Sequence, residues 1–181
     1  MLVHGATGGV GVAAVQFAQA AGMRVLATGG SEAGRTMLAD IGPDAVFDHS
    51  AADYTDGILE ATGGKGVDVV IEMLANVNLA RDLALLGRAG RVIVVGNRGS
   101  IEINPRDLMA RDADVRGVMV SNTPPEELAK CHAAIGAGLA NGTVRPVIAT
   151  GFALPDAPEA HRAVMAPGHR GKVVLRVGPE N

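Results

Sequence analysis

A glycine-rich loop near the start of the chain has the clearest chemical meaning. It runs Gly5-Ala6-Thr7-Gly8-Gly9-Val10-Gly11 and follows the short apolar segment Met1-Leu2-Val3-His4. The next residues show the spacing of an apolar helix face, at Val10, Ala14, Phe17 and Ala21. A strand, a glycine turn and a helix in this order are typical of a loop that binds the pyrophosphate of a dinucleotide.

The glycines of this loop have separate expected roles. Gly8 allows the backbone to approach a pyrophosphate, and Gly11 allows the helix to pack tightly on the strand. The helix N-terminus then faces the negative charge of the ligand. Ala6 stands where the usual fingerprint has its first glycine. A plain glycine turn between a strand and a helix is the alternative interpretation.

The end of the second predicted strand bears on the choice of nucleotide. Domains that prefer NAD carry an Asp or Glu there, about 20 residues beyond the glycine motif. This chain has Thr28-Gly29-Gly30-Ser31 instead. A neutral end with Ser31 and Arg35 nearby favours the 2′-phosphate of NADP, although an exposed helix charge is an equally simple interpretation of Arg35. His49 ends the third predicted strand, at the edge where ligands approach such a sheet; taken alone, a surface role is the commoner one.

Several other chemistries lack their residues. Short-chain dehydrogenases need a Tyr followed four residues later by a Lys, whereas Tyr54, the single tyrosine, is followed at that spacing by Ile58. The five histidines stand apart, so no metal site is predicted. No P-loop lysine and no GxSxG motif occur. Cys131, the single cysteine, is predicted to be a core thiol rather than a nucleophile.

Strand patterns alternate with helix patterns, which predicts an α/β fold with a doubly wound parallel sheet of the Rossmann type. The predicted strands are Arg24–Thr28, Ala45–Asp48, Val67–Glu72, Arg91–Val95, Val115–Val120 and Lys172–Leu175. The predicted helices include one capped by Ser31 and ending near Ile41, Tyr54–Ala61, Leu79–Leu86, a short helix capped at Asn104-Pro105, and Asp156–Ala166. A capping box at Thr123-Pro124-Pro125-Glu126 is predicted to start a helix that buries Leu128, Cys131, Ile135 and Leu139. We expect a nucleotide-binding domain over residues 1–145 and a tail over residues 146–181.

Composition limits the classes of protein that fit. The chain has 181 residues, 48% of them hydrophobic and 2% aromatic, so its core must be aliphatic. The net charge of -3 and the scattered basic residues argue against a nucleic-acid partner. No apolar stretch approaches the length of about 20 residues that spans a bilayer, and the single cysteine fits a soluble, cytoplasmic setting. A first strand that starts at Met1 suggests a truncation point or an internal start.

Four segments resemble the zeta-crystallin-like NADPH:quinone oxidoreductases of the medium-chain dehydrogenase/reductase superfamily. They are His4–Gly11, Ile71–Leu79, Gly90–Gly99 and Ile101–Asp107, and the similarity continues through Lys172–Leu175. It covers nearly all of the chain and about the C-terminal half of the family. The resemblance implies a zinc-free reductase in which NADPH delivers hydride to a quinone-like acceptor. An enoyl reductase of the same superfamily and a non-catalytic NADPH-binding module remain alternatives.

The resemblance also implies which residues contact the cofactor. Thr7, Gly8, Gly9 and Val10 would hold the pyrophosphate, beside Gly11, and Gly30 and His49 would border the adenosine ribose and its 2′-phosphate, beside Ser31. The remaining candidates are Asn78, Val95, Gly96, Asn97, Arg98, Val118, Met119 and Val120. The family carries a preceding barrel-like domain on which the tail packs, so this chain is expected to be inactive alone, and no catalytic side chain is named. The resemblance also implies a homodimer or homotetramer formed through the nucleotide domain, with Val115–Val120 as the candidate contact strand.

Overall fold

A parallel sheet forms the centre of the protein. In the computed structural model, which describes residues 1–166, 168 and 170–178, its strands are β1 Leu2–Val3, β2 Leu26–Thr28, β3 Ala45–Phe47, β4 Val67–Glu72, β5 Leu86–Val94 and β6 Asp114–Gly117. Their order across the sheet is β3-β2-β1-β4-β5-β6. Because β1 pairs with both β2 and β4, the strand order reverses beside β1, and the predicted doubly wound α/β fold is confirmed.

Helices connect the strands. They are α1 Gly9–Ala20, α2 Glu32–Ile41, α3 Tyr54–Ala61, α4 Ala75–Leu85 and α5 Pro105–Met109. After β6 come a short 3-10 turn at Val120–Asn122, α6 Pro125–Ala140, β7 Ile148–Ala153, a second 3-10 turn at Leu154–Asp156, α7 Ala157–Met165 and β8 Lys172–Arg176. Ser31 and Asn104 cap α2 and α5 through their side chains, as predicted. Helix α4 begins four residues earlier than the predicted Leu79, and β6 ends before the predicted Val120.

The core has two layers because successive strand residues point to opposite faces of the sheet. Leu2 of β1 packs with Val70, Ile58 and Leu83 on one face. Val3, the next residue, packs with the α1 and α2 side chains on the other face. Each such fully buried aliphatic side chain contributes about 1.5–3 kcal/mol relative to an exposed one. The short β1 is therefore fixed in the middle of the sheet and holds the start of the glycine loop.

The buried face of α1 differs from the predicted one. Val12, Val15 and Ala18 are buried together with Gly11, whereas Val10 is 52% exposed. The reason is the tight contact of Gly11: a Cβ there would lie 2.5 Å from Ala6 Cα and 2.5 Å from Gly5 O. This contact sets the rotation of the helix, so the stripe predicted from Val10 to Ala21 was wrong.

Helix α6 also departs from expectation. Its predicted apolar stripe is largely exposed, with Ile135 at 40% and Leu139 at 48%, and Cys131 is exposed rather than a core thiol. The helix is not seated on the six-stranded sheet; its buried residue is Gly138, which meets Val144 and Phe17. Pro124 rather than Thr123 occupies the N-cap, and no side chain caps the helix, so the predicted capping box was also wrong.

The tail forms a separate two-stranded parallel sheet from β7 and β8. It reaches the glycine loop, since Gly171 N donates a hydrogen bond to Thr7 O at 2.7 Å. Gln16 on α1 and the backbone of Arg145 exchange two further hydrogen bonds of 3.0 and 2.8 Å. Among the described residues, no helix combines the length and apolar character needed to cross a bilayer.

Candidate cofactor site

The glycine loop lies at the carboxyl end of β1, beside the point where the strand order reverses. Gly5 adopts a left-handed φ of 56°, and Gly8 is the extended N-cap residue of α1. A Cβ on Gly8 would meet its nearest atom, Gly5 O, only at 3.6 Å, so the surface over Gly8 is open. This geometry leaves backbone and a helix N-terminus facing the crevice, which is the arrangement that binds a pyrophosphate.

Close contacts fix the middle of the loop. A Cβ on Gly29 would lie 2.9 Å from Thr7 Cγ2, and one on Gly34 would lie 2.8 Å from the same atom. The methyl group of Thr7 is thus packed between β2 and α2. Ala6 N donates to Thr28 O at 3.0 Å, which ties the loop to the end of β2. The loop is therefore held in one shape by the strands on which it rests.

The ends of β2 and β3 bring together the residues expected at the adenosine. A Cβ on Gly30 would lie 2.7 Å from His49 Nε2, so these two candidates adjoin. The Ser31 hydroxyl accepts from Gly34 N at 3.1 Å. Arg35 contacts Asp48 at 2.8 Å and donates to Gly29 O at 3.3 Å. The guanidinium group thus stands beside this end of the sheet.

Two titratable groups here have shifted pKa values. Desolvation of its ring lowers the pKa of His49, as does the charge of His4, so the imidazole is neutral near pH 7. A hydrogen bond from the Ser50 backbone, together with the charge of Arg35, lowers the pKa of Asp48. At neutral pH, His49 is therefore a hydrogen-bonding group, while Arg35 and Asp48 form an ion pair.

The candidates on the other side of the crevice follow β4 and β5. Asn78, in the first part of α4, donates to the Glu72 carboxylate at 3.1 Å. Val95 N and Gly96 N both donate to the backbone carbonyl of Glu72, at 2.9 and 3.2 Å. A Cβ on Gly96 would collide with Met73 O. The carboxyl end of β5 is thus packed closely against the carboxyl end of β4.

The loop beyond Gly96 is held by asparagine side chains. Arg98 N donates to Asn76 Oδ1 at 2.9 Å, and Asn97 Nδ2 donates to Gly99 O at 2.7 Å. Val118, Met119 and Val120 lie beyond β6 and are 45%, 65% and 69% exposed. Val118 N donates to Val94 O at 3.0 Å, so this segment begins next to the end of β5. Their expected backbone contacts to a cofactor remain a prediction.

Two features of the site were not anticipated from the sequence. The first is a buried polar cluster of His4, Glu72 and Asp82, which are 2%, 0% and 0% exposed. His4 Nδ1 lies 3.1 Å from Thr28 Oγ1, and His4 Nε2 lies 2.9 Å from Asp82 Oδ1. His4 Nε2 and Asp82 Oδ1 are thus close enough for an ion pair, but their geometry is not that of a hydrogen bond. Burial, and next the charge of Asp82, raise the pKa of Glu72 to about 6.

The second unanticipated feature is Lys172, at the start of β8. A Cβ on Gly9 would collide with the lysine side chain and would lie 3.0 Å from its Nζ. A lysine ammonium group is therefore placed beside the N-terminus of α1. The glycine-lysine pair Gly171-Lys172 is visible in the sequence, but nothing local to it indicates that the tail returns to the loop.

Comparison with known proteins identifies the family. A profile described as zinc-binding dehydrogenase matches residues 9–135. The chain belongs to this family. A quinone oxidoreductase of Homo sapiens is 47% identical over 176 residues, which is 97% of this chain and 54% of that protein. The resemblance stated from the sequence is thereby confirmed, and the chain spans about half the length of the curated relatives it matches.

Solved structures of the family share the fold. A quinone oxidoreductase of Escherichia coli, in complex with NADPH, superposes with a TM-score of 0.86 at 27% identity, covering 97% of this chain and 56% of that one. The CurK enoyl reductase gives a TM-score of 0.83 at 28% identity, covering 97% of this chain and 53% of that one. Both are about twice as long as this chain.

The description of the family names zinc, for which the protein offers one cluster of suitable side chains among its described residues. His4, Glu72 and Asp82 place potential ligand atoms within 4.8 Å of one another. The three residues are buried, and the Glu72 carboxylate already accepts from Leu74 N and Asn78. A catalytic zinc keeps a position open for water or substrate. This cluster does not fit such a site.

Proposed function

We propose that the chain is the cofactor-binding part of a zinc-independent, NADPH-dependent quinone oxidoreductase. The observation that carries the proposal is the glycine loop at the strand-order reversal, open over Gly8, since doubly wound sheets bind dinucleotides at this point. The 47% identity to a quinone oxidoreductase supports the activity. When bound, NADPH would supply a hydride to a quinone-like acceptor.

The two sides of the crevice would bind different parts of the cofactor. Thr7, Gly8, Gly9 and Val10 would hold the pyrophosphate through the loop backbone. Asn78 would contact the ribose or adenine side. The segment Val95–Arg98 would lie at the nicotinamide side, and Val118–Val120 would supply backbone contacts to the carboxamide. These residues bind and orient, and none is assigned a proton-transfer role, because hydride transfer depends on positioning more than on an acid or base.

The preference for NADPH is proposed from the end of β2. Gly30 is neutral and adjoins His49, and the Arg35 guanidinium is nearby. No carboxylate ends β2, so the 2′-phosphate meets no negative charge on that strand. In the family that this chain resembles, a barrel-like domain precedes the cofactor-binding part, and we expect the 181-residue chain alone to show little turnover.

Calorimetric titration with NADPH and, separately, NADH tests the proposal. We expect saturable binding with a clear preference for NADPH. Gly30→Asp should reverse the preference, because the new carboxylate repels the 2′-phosphate and can accept from ribose hydroxyls. Gly30→Ala is the matched control, since its Cβ would meet His49 Nε2 at the same 2.7 Å but adds no charge. If the wild-type chain binds neither nucleotide, the proposed function is wrong. If Gly30→Asp leaves the NADPH affinity unchanged, the residues assigned to the adenosine and its 2′-phosphate are wrong.

An enoyl reductase is the second candidate, favoured by the similarity to the CurK enoyl reductase. Both activities use the same hydride donor, so the acceptor separates them. Turnover of NADPH with 1,4-benzoquinone and with a conjugated enoyl thioester would distinguish the two, measured on the chain joined to a barrel-like domain of the kind that the family carries.

We also propose that copies of the chain associate through β6. This strand lies at one edge of the sheet, and its four residues are exposed. An unpaired strand edge is a template for pairing with another chain. Light scattering that finds only monomers at high concentration would contradict this proposal.

A further inference from the structure

Glu72 is a fully buried carboxylate whose hydrogen bonds lead to the segments around the crevice. Its side chain accepts from Leu74 N and from Asn78 Nδ2, the latter at 3.1 Å to Oε1 and 3.3 Å to Oε2. Its backbone carbonyl accepts from Val95 N and Gly96 N. A single residue therefore joins the start of α4 to the end of β5, and both segments contain candidate cofactor residues.

This position is unfavourable for a charged group. Glu72 and Asp82 are both 0% exposed, and two buried carboxylates close together disfavour each other's ionisation. Burial and the neighbouring Asp82 raise the pKa of Glu72 to about 6, so the group is still mainly ionised at pH 7. A residue that disfavours folding while it orients groups at a crevice is typical of a functional site.

The charge of Glu72 determines how the Asn78 amide is oriented. An ionised carboxylate only accepts hydrogen bonds, whereas an amide has a donor side and an acceptor side. The nitrogen of Asn78 must therefore face Glu72, which leaves its carbonyl oxygen on the other side of the amide. A glutamine at position 72 has both a donor and an acceptor, and it would permit either orientation.

We propose that Glu72 is a positioning residue of the cofactor site, which turns the Asn78 amide so that its carbonyl oxygen accepts a hydrogen bond from a ribose hydroxyl of the cofactor. This inference rests on the proposed function, because it takes NADPH as the ligand. Glu72 itself does not touch the cofactor. It acts through Asn78, and its contribution disappears when Asn78 is removed.

A double-mutant cycle tests this role. The NADPH dissociation constant and the melting temperature are measured for the wild-type chain, Glu72→Gln, Asn78→Ala and the double variant. We expect Glu72→Gln to weaken NADPH binding about 10-fold, the size of one well-placed hydrogen bond. Its melting temperature should be equal or higher, because the charge beside Asp82 is gone. In the Asn78→Ala background, the same substitution should change NADPH affinity less than about 2-fold.

The cycle separates this inference from its alternatives. An equal loss of affinity in both backgrounds, or no loss from Glu72→Gln, would overturn the positioning role. A drop in melting temperature that parallels the loss of affinity would also overturn it, since that is the signature of a structural residue. Glu60→Gln, which neutralises an exposed carboxylate on α3, is the control and should change neither quantity. Absence of NADPH binding by the wild-type chain is a different result, and it would overturn the proposed function first.

Discussion

The raised pKa of Glu72 predicts an unusual dependence of stability on pH. Its pKa rises from 4.5 to about 6 in the folded protein. Between these two values the folded state binds more protons than the unfolded state, so the free energy of unfolding falls as pH increases. Stability from this group is complete below about pH 4.5 and is lost as pH rises through 6. Most native carboxylates, whose pKa values are lowered, have the opposite effect.

The magnitude follows from the size of the shift. One pKa unit corresponds to 1.36 kcal/mol, so a shift of about 1.5 units corresponds to about 2 kcal/mol. Glu72→Gln cannot titrate and removes this dependence. Relative to the wild type, the unfolding free energy of the variant should therefore increase by about 2 kcal/mol as the pH rises from 4 to 7.

Urea denaturation of both proteins at several pH values measures this difference. Carboxylates outside the His4, Glu72 and Asp82 cluster, such as Asp48 and Asp114 with their lowered pKa values, do not contact Glu72, so their contributions are expected to cancel in the difference. Glu60→Gln serves again as the control and should follow the wild type at every pH. A variant-minus-wild-type difference that stays constant from pH 4 to pH 7 would refute the reasoning, because Glu72 would then have no raised pKa.

Two further predictions concern the glycine loop. Gly11→Ala should lower the free energy of unfolding by about 1–3 kcal/mol in urea denaturation, because its Cβ would lie 2.5 Å from backbone atoms of Ala6 and Gly5. Gly136→Ala is the control, since a Cβ at this position in α6 has no atom within 4 Å. It should be neutral or stabilising in the same experiment. Lys172→Ala should weaken NADPH and NADH binding by a similar factor in calorimetry, since both carry a pyrophosphate and the Lys172 ammonium group lies beside Gly9 of the loop proposed to bind it. Lys130→Ala, on the exposed side of α6, should change neither affinity, and a loss confined to NADPH would place Lys172 at the 2′-phosphate instead.

The sequence predicted the regular half of the fold well because its signals there are local. Helix Tyr54–Ala61 and strand Val67–Glu72 have the predicted bounds, since each is delimited by turn residues and by its own periodicity. The capping role of Ser31 also depends only on its neighbours. The doubly wound parallel sheet was predicted from the alternation of strands and helices together with the glycine loop.

The errors arise where distant contacts decide. The rotation of α1 is set by Gly11 against the loop backbone, and a spacing of apolar residues alone cannot show this contact. For α6, amphipathic spacing shows which face is apolar but not whether anything covers it, so Ile135 and Leu139 were wrongly predicted to be buried. The cluster joins His4, near the start of the chain, to Glu72 and Asp82 much later in the sequence, and no spacing rule connects them.

The geometry also indicates how nucleotide preference must arise in this site. The glycine loop cannot discriminate, because NADPH and NADH share the pyrophosphate. Under the proposed function, discrimination falls to the ends of β2 and β3, where Arg35 is already paired with Asp48 at 2.8 Å and His49 is neutral near pH 7. A 2′-phosphate would have to compete with the Asp48 carboxylate for this guanidinium group. Because both groups of the ion pair are partly exposed, salt weakens their attraction. This competition is expected to limit the preference for NADPH, and Asp48→Asn should increase it in the same pair of titrations.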